Sequence, residues 1–390
     1  MKVLIIITLS FMNICSIDLP NYYEPWQPGY YKQFEDIRIQ VAAHGLLAPN
    51  AHNTQPWIIK LFEPFEGSKP SEGLTFELYT DSERLLPETD PPARQITISQ
   101  GTFLEASKIA ANHLGYEFNM ELFPNGEYGD INFESDMQDK PVARVSLTES
   151  FAKVSKIPKV DPMYNEIFQR VTNRTAYYGE SLNGEEMAVL QTLNDYPNLS
   201  LVFFNDTESL EKIRRLTIKA VEVEATTEFK VMETERLFRD SEKEKKAYRD
   251  GITMMSGGLS GFKLKAVQFF SSMFPLGWEK IGQIWIKSET RNIQTAPTFA
   301  MIISEDNSRT TQVETGMLYT RFQLKASSMG ISMQPLSQSL QEFPEMSDLY
   351  KQVHNDFADN DQTIQMLVRM GRADEVLHSP RRDVMDIIIQ

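Results

Sequence analysis

Three clusters of polar side chains mark the places where this chain could do chemistry. The first is Ala48-PNAHNTQP-Trp57, where Asn50, Asn53 and Gln55 bring amide donors and acceptors to one loop and Trp57 supplies an apolar anchor. Amides so placed read the edge of a heterocycle; the same residues also suit a plain polar turn pinned by a buried tryptophan. The second is Arg170-VTN-Arg174, two guanidiniums four residues apart with Thr172 between them. They offer charged forks and a hydroxyl to a phosphate and its neighbouring polyol, or equally decorate a surface. The third is Arg381-Arg382, between Pro380 and the apolar tail from Val384 to Ile389, which would help neutralise a phosphate dianion or cap a strand. Charge-assisted hydrogen bonds contribute about 1.5 to 3 kcal/mol each, so two or three arginines would hold a phosphorylated ligand without a covalent link. Other chemistries lack their residues. There is no G-x-S-x-G, Walker loop, H-E-x-x-H or G-x-G-x-x-G. His44, His52, His113, His354 and His378 show no ligand spacing, so no metal site is expected, and the single cysteine, Cys15, excludes an intrachain disulfide or thiolate cluster. What remains suits a bound organic cofactor better than a side-chain nucleophile.

The elements that position these residues belong to an ordinary globular chain. Its 390 residues make two to three domain-sized units at about 150 residues each, with 41% hydrophobic and 24% charged residues. Lys plus Arg at 39 against Asp plus Glu at 54 gives a net charge of −15, which repels a phosphate backbone and excludes general nucleic-acid binding. Met1 and Lys2 followed by the apolar run Val3 to Cys15 have the proportions of a secretory leader, expected over residues 1–16. Such a leader implies export or membrane association, and without it the chain would be cytoplasmic; Cys15 lacks the small residues that a lipidation signal wants before it. Residues 17–30, with Pro20, Pro25 and Pro28, read as a linker. A helical run from Ile37 to Leu47, stopped by Pro49, then leads through the first cluster to the strand-like Ile58-IKLF.

An internal repeat organises the remainder. Gly101-TFLEASKIAANHL-Gly115 and Gly316-MLYTRFQLKASSM-Gly330 share one Gly-to-Gly spacing at an offset of 215, and each has helical apolar periodicity ending at a glycine suited to a left-handed cap. Strand-like runs precede them (LTFELYT and PTFAMIIS) and follow them (EFNMELF and ISMQPL), so the spacing predicts two copies of one α+β unit; a chance match of two helices is the alternative. Between the copies, Val221 to Tyr248 predicts one long polar helix, and the Met- and aromatic-rich stretch from Met254 to Met273 suits either core or a flap over a planar ligand.

Taken together, these residues resemble the nitroreductase family of flavin mononucleotide (FMN) enzymes, in particular its double-length Acg-like branch. APNAHNTQPW is similar to the family's APS..N.QPW motif, with Asn50 where a serine is usual, and FQRVTNRTAYY is similar to its R-x-S-x-R motif, displaced here to mid-chain. LYTDSERLLPETDPPARQITIS and LVRMGRADEVLHSPRRDVMDII extend the resemblance over most of residues 31–390. It implies an α+β sandwich duplicated in one chain as a fused pseudo-dimer, with a first half over 31–160 and a second over 161–390, the latter carrying a lid-like insertion around 250–285. It further implies that Arg170 and the Arg381-Arg382 pair hold the FMN phosphate, that Thr172 meets the ribityl chain, and that Arg174 faces the pyrimidine edge. Asn50, Asn53 and Gln55 would come from the other half. No second QPW loop is present, so one flavin per chain is expected. The implied activity is hydride transfer from NAD(P)H to flavin and on to a nitro compound, quinone or similar acceptor, in a monomer or homodimer, with no side chain acting as catalytic acid or base. The alternative is a flavin-binding or storage protein whose lid-covered FMN turns over little.

Overall fold

The two glycine-bounded segments lie side by side at the centre of the fold. In the computed structural model, which describes residues 20–62, 74–129, 133–150, 161–259, 261, 264, 276–359 and 361–389, they form parts of two twenty-residue helices that cross at their glycines. A Cβ added to Gly101 would come within 1.8 Å of the Val313 carbonyl oxygen, and one added to Gly316 within 1.9 Å of that of Ile98. Each glycine thus admits the backbone of the other helix three residues before that helix's own glycine, a reciprocal contact that only a residue without a Cβ allows. The helices end as the sequence predicts, with Gly115 and Gly330 at positive φ, but begin seven residues before each glycine, at Arg94 and Arg309. They are buried on nearly every side, among polar residues such as Thr102, Ser107, Thr315 and Gln323, so apolar spacing alone shows only their middles.

Around this pair the chain builds one topology twice. The first copy runs α1 (Ile37–Gly45), β1 (Trp57–Leu61), β2 (Thr75–Thr80), α2 (Arg94–His113), β3 (Tyr116–Leu122), α3 (Phe133–Asp139) and β4 (Ala143–Glu149). The second opens with α4 (Gly184–Gln191) and β5 (Leu199–Phe204). An insertion follows, made of α5 (Thr207–Ala225), α6 (Glu228–Arg236), α7 (Glu242–Tyr248) and α8 (Trp278–Gln294). The copy closes with β6 (Thr298–Ser304), α9 (Arg309–Ser328), β7 (Ser332–Pro335), α10 (Ser347–Phe357) and β8 (Thr363–Gly371). The antiparallel sheets have orders β3-β4-β2-β1 and β7-β8-β6-β5, the same order element for element, so the architecture is α+β and repeated. A last strand, β9 (Ile388–Ile389), returns from the C-terminus to pair in parallel with β1, joining Ile388 to Ile59.

The second sheet is covered on both faces. Strand β6 is buried throughout; Ala300 and Ile302 pack toward Leu318 and Phe322 of α9, whereas Phe299, Met301 and Ile303 pack toward Ile213 of α5 and Ile293 of α8. The long polar helix expected over 221–248 is instead the end of α5 with α6 and α7. Thr226 and Thr227 turn their hydroxyls back to the carbonyls of Glu222 and Val223, competing with the helix at that point, and Ser241 starts α7 with a capping box.

Residues 20–30, expected as a linker, are docked rather than extended. They form 3-10 turns that bury Tyr22, Trp26 and Tyr30, and Trp26 donates its indole N–H to the Ser379 carbonyl. Three buried aromatic side chains in so short a stretch supply the apolar area that a free linker lacks. The leader-like residues 1–16, Cys15 included, lie outside the described residues, and among the described ones no helix is long and apolar enough to cross a membrane.

Candidate functional site

The loop before β1 is strained and tightly tied. His52, Asn53 and Gln55 all have positive φ, a cluster of costly conformations that persists only where surrounding structure enforces it. The enforcement is visible. Asn50 accepts the Gln55 backbone N–H at 2.8 Å and donates to the Ala48 carbonyl; the fully buried Trp57 donates its indole N–H to the Ser99 carbonyl at 2.9 Å; and Ser99 Oγ accepts from the Ala51 N–H.

The loop borders a cavity of about 830 Å³ at the seam between the copies, within the range of small-molecule and cofactor sites. Of the eight residues expected to bind a cofactor, Asn50, Thr172 and Arg174 line it, together with Ser99 of α2 and Tyr319 of α9. Arg174 is held by its main chain, its N–H donating to the Ser256 carbonyl at 3.0 Å and its carbonyl accepting from Asn292 at 2.8 Å. Its guanidinium has no hydrogen-bond or ion-pair partner among the described residues. Burial lowers its pKa, and Glu289, which also lines the cavity, acts in the opposite direction. An unpaired guanidinium at a cavity wall is costly unless an anion or acceptor meets it.

Arg170 and Arg381 lie behind that wall. Arg170 donates to Gln323 at 2.7 Å, to the Leu47 carbonyl at 2.8 Å and, more distantly, to Thr172 Oγ1. Arg381 donates to the carbonyls of Leu47, Ala48 and Pro380 and to Asn53, leaving its Nε without a partner. The Trp26 ring lies 5.9 Å from the Arg170 guanidinium carbon and 4.8 Å from that of Arg381, and stacks on His378. No carboxylate among the described residues forms an ion pair with either arginine. Burial, reinforced by Arg174, pushes the Arg170 guanidinium down to about 10, and burial and Arg170 lower that of Arg381 as well. His378 is pushed down to about 4 by burial and by the same two arginines. Two buried cations without an acid give the region an unbalanced positive field.

The remaining expected residues hold the loop rather than face the cavity. Asn53 donates to the carbonyls of Gly251 and Pro380, Gln55 donates to that of Arg249 and accepts from the Arg382 N–H, and Arg382 donates to the carbonyls of Gln55 and Asp386 beside Asp81. Their amides, expected to read a heterocycle, read the chain's own backbone. Asn50 likewise reaches the cavity with its amide engaged in closing the loop.

Sequence reasoning missed the cavity's other polar residues. His52 Nδ1, Gln95 Nε2, Thr234 Oγ1, Thr253 Oγ1 and Gln341 Oε1 are buried without partners, and all five residues border the cavity. Burial and the neighbouring Arg174 keep His52 neutral, with its pKa pushed down to about 4. The signal that would have found Gln95 is the repeat itself: extended back seven residues, it pairs Arg94 with Arg309 at the same offset of 215. The expected lid over 254–273 is described only in part. Met254–Gly257 forms a 3-10 turn beside Arg174 and Met254 and Leu259 line the cavity, while residues 260, 262–263 and 265–275 lie outside the described residues. Among the described residues no cluster of His, Cys, Asp or Glu suits a metal.

Comparison with known proteins gives a consistent pattern of partial likeness. No family model matches the chain. Two curated proteins of Mycobacterium tuberculosis, the uncharacterised proteins MT3212 and Rv3127, are each 26% identical over 129 residues, which is 31% of this chain and 35% of the relative. The match thus spans about a third of those relatives' length. Among solved structures, the FMN-dependent nitroreductase NfnB of Mycobacterium smegmatis in complex with NADPH is 15% identical, with 57% of this chain and 94% of that one covered and a TM-score of 0.35. A nitroreductase with bound FMN from Desulfitobacterium hafniense is 10% identical, with coverages of 60% and 99% and a TM-score of 0.35.

Proposed function

We propose that the chain is an FMN-binding, nitroreductase-like oxidoreductase built as a fused pseudo-dimer, with its single flavin at the seam between the two copies. The observation that carries this reading is the unpartnered guanidinium of Arg174 on the wall of the 830 Å³ cavity, in front of the acid-free pair Arg170 and Arg381. The residues fit the group: a guanidinium for the pyrimidine edge, the Thr172 hydroxyl for the ribityl chain, and a positive region for the phosphate. The lining mixes hydroxyl, amide and charged residues with apolar ones, as suits a ligand with both polar and planar apolar parts.

When bound, FMN supplies two-electron transfer from a reduced nicotinamide to a nitro compound, quinone or similar acceptor. Arg174, fixed by its main-chain bonds to Ser256 and Asn292, favours added negative charge at the pyrimidine edge and so raises the reduction potential of whatever ring it faces. Asn50 shapes the loop against the cofactor, while Asn53, Gln55 and Arg382 keep the loop docked on the C-terminal segment. Neutral His52 adds no charge beside Arg174.

One observation favours the storage alternative: the insertion between β5 and β6, tied to the loop through Arg249 and Gly251, supplies much of the cavity's lining. Anaerobic mixing of the FMN-loaded protein with reduced nicotinamide separates the readings. Bleaching of the flavin at a catalytic rate supports the oxidoreductase, an unresponsive flavin supports storage, and a protein that takes up no FMN at all refutes both.

A further inference from the structure

Arg369 is a fully buried cation that forms no ion pair among the described residues. It lies on β8 directly across from Gln334 of β7, two residues on from Leu367, which lines the cavity. A guanidinium there is costly to bury unless its donors are met, and four acceptors meet them. Nε donates to Gln334 Oε1 at 2.7 Å, Nη1 to the Asn292 carbonyl at 3.2 Å, and Nη2 to the carbonyls of Thr175 at 2.8 Å and Asn173 at 3.4 Å. The Tyr177 ring centre lies 3.8 Å from the guanidinium carbon.

The choice of acceptors is what gives these contacts a role. Asn173 and Thr175 flank Arg174 in the chain, and Asn292 is the residue whose side-chain amide donates to the Arg174 carbonyl at 2.8 Å. One guanidinium therefore grips the peptides on both sides of Arg174 and the side chain's owner that holds Arg174 itself. The fork is oriented from behind as well: Gln334, which accepts from Arg369 Nε, donates its own Nε2 to Glu289 at 3.2 Å. Burial lowers the Arg369 pKa, Tyr177 and Glu289 oppose that shift and Arg174 adds to it, so Arg369 and Arg174 are near neighbours. Arg174 needs such a support, because its guanidinium has no partner of its own among the described residues and only its main chain fixes where it points. A charge held in place stabilises negative charge on a ligand better than one that must first be ordered.

We propose that Arg369 is a positioning residue for the flavin site: by fixing the main chain on either side of Arg174, it sets how strongly that guanidinium favours the reduced ring. The inference rests on the flavin reading and adds to it a residue that lies behind the cavity wall.

The test is anaerobic titration of the full-length chain with oxidised and with reduced FMN, since the ratio of the two affinities reports how far the site favours the reduced ring. Arg369→Lys keeps the charge but replaces a planar fork by a point charge that cannot reach all four acceptors. It should lower the ratio of reduced to oxidised affinity several-fold, up to about tenfold, which is about 30 mV toward negative potential for a two-electron couple. In an Arg174→Ala background the same substitution should leave the ratio unchanged to within about twofold, because the group being positioned is gone. Arg369→Gln, uncharged and so easier to bury, is the second variant. It should lower the ratio further, and in the Arg174→Ala background only the part due to its own lost charge should remain.

A fall of equal size with and without Arg174, or an unchanged ratio in a folded variant, overturns the proposal. Loss of folding in both variants overturns it too, since Arg369 would then serve the scaffold as a whole. A wild-type chain that loads FMN while its variants behave in one of those ways refutes the positioning role alone. A wild-type chain that takes up neither form of FMN refutes the flavin reading, and this inference falls with it.

Discussion

The N-termini of α2 and α9 occupy equivalent places in the two copies, yet the chain finishes them differently. At α9, Ser308 caps the Thr311 N–H and the Glu127 carboxylate accepts from the N–H groups of Arg309 and Thr310 and from the Thr310 hydroxyl. At α2, the preceding Ala93 is left-handed and offers no side-chain cap; Asp90 accepts the Ile96 N–H at 3.0 Å, and the first turn faces the cavity through Arg94 and Gln95. The arginines that open the helices each cross the seam, Arg94 to Glu342 and the carbonyls of Leu340 and Gln365, Arg309 to the carbonyl of Pro92. The loops before the first strands differ likewise: in the second copy Tyr196 packs against both cores, with its hydroxyl at Met317 Sδ. The difference teaches that the two copies share one frame, whose helix end the chain closes with its own side chains in one copy and leaves facing the cavity in the other.

The largest expected effect tests the frame itself. Gly101→Ala or Gly316→Ala would drive a methyl into a backbone carbonyl of the facing helix, which moves only if the helices separate. Each should destabilise the fold by about 3 kcal/mol or more in urea unfolding; a loss under about 1 kcal/mol would mean that the crossing is loose and the two copies are not bound to one geometry. The next effect concerns the open side. Arg174→Ala removes a guanidinium with no protein partner, so FMN affinity should fall by about 2 kcal/mol with stability unchanged or raised. Arg381→Ala strips donors from the carbonyls of Leu47 and Ala48 and should cost stability along with affinity. Equal stability losses in the two variants would erase the distinction between a ligand contact and a loop anchor.

How much of this was legible in the sequence follows from which interactions are local. The repeat, the glycine-ended helices and the polar loop before β1 show in spacing and residue type, because helical period and turn chemistry act over a few residues. The roles of the three clusters were only partly legible. Arg174 and Arg170 differ by four positions and look alike in a string of letters, but one meets the cavity and the other meets Gln323 and Leu47, contacts more than 100 residues away in sequence. From the sequence Asn53, Gln55 and Arg382 read as ligand contacts, because nothing local shows that the C-terminal segment returns to them. The docking of Trp26 between the arginines and His378 was hidden for the same reason, behind prolines that suggested a linker. Cavity-lining Thr234, Thr253 and Gln341 have no local signature; only the fold brings the insertion back to the seam.

A smaller effect separates the two helix ends by pH. Burial raises the Asp90 carboxyl from its ordinary 3.8 to about 7, against the opposing pull of Arg94. The folded chain then binds that proton more tightly than the unfolded one, so between these values stability falls as pH rises. His44 and His52, held down to about 4 by burial, act in the opposite sense over part of the window, and a bare stability profile mixes the two. The comparison that isolates Asp90 is wild type against Asp90→Asn. On lowering the pH from about 8 to about 5 the wild type should gain on the variant by on the order of 1 kcal/mol per unit within the window. Parallel profiles would show that the open end of α2 carries no titrating acid.

The smallest effect belongs to the closed end. Glu127→Ala removes three acceptor contacts from the first turn of α9, but the site is exposed, so water takes over much of the bonding and the loss should be about 1 kcal/mol, that of a helix cap. Because α9 opens toward Glu127 and not toward the 830 Å³ cavity, FMN affinity should not change. The informative result is a change in stoichiometry. If uncapping α9 raised bound FMN from one toward two per chain, the second frame would be a competent site held shut by a single carboxylate. If stoichiometry stays fixed while stability falls, closure is distributed over Tyr196, Asn198 and the short loop before β5, with Asn198 donating to Thr311 and Glu314 of α9. The second outcome is the expected one, since removing Glu127 leaves all of those contacts in place.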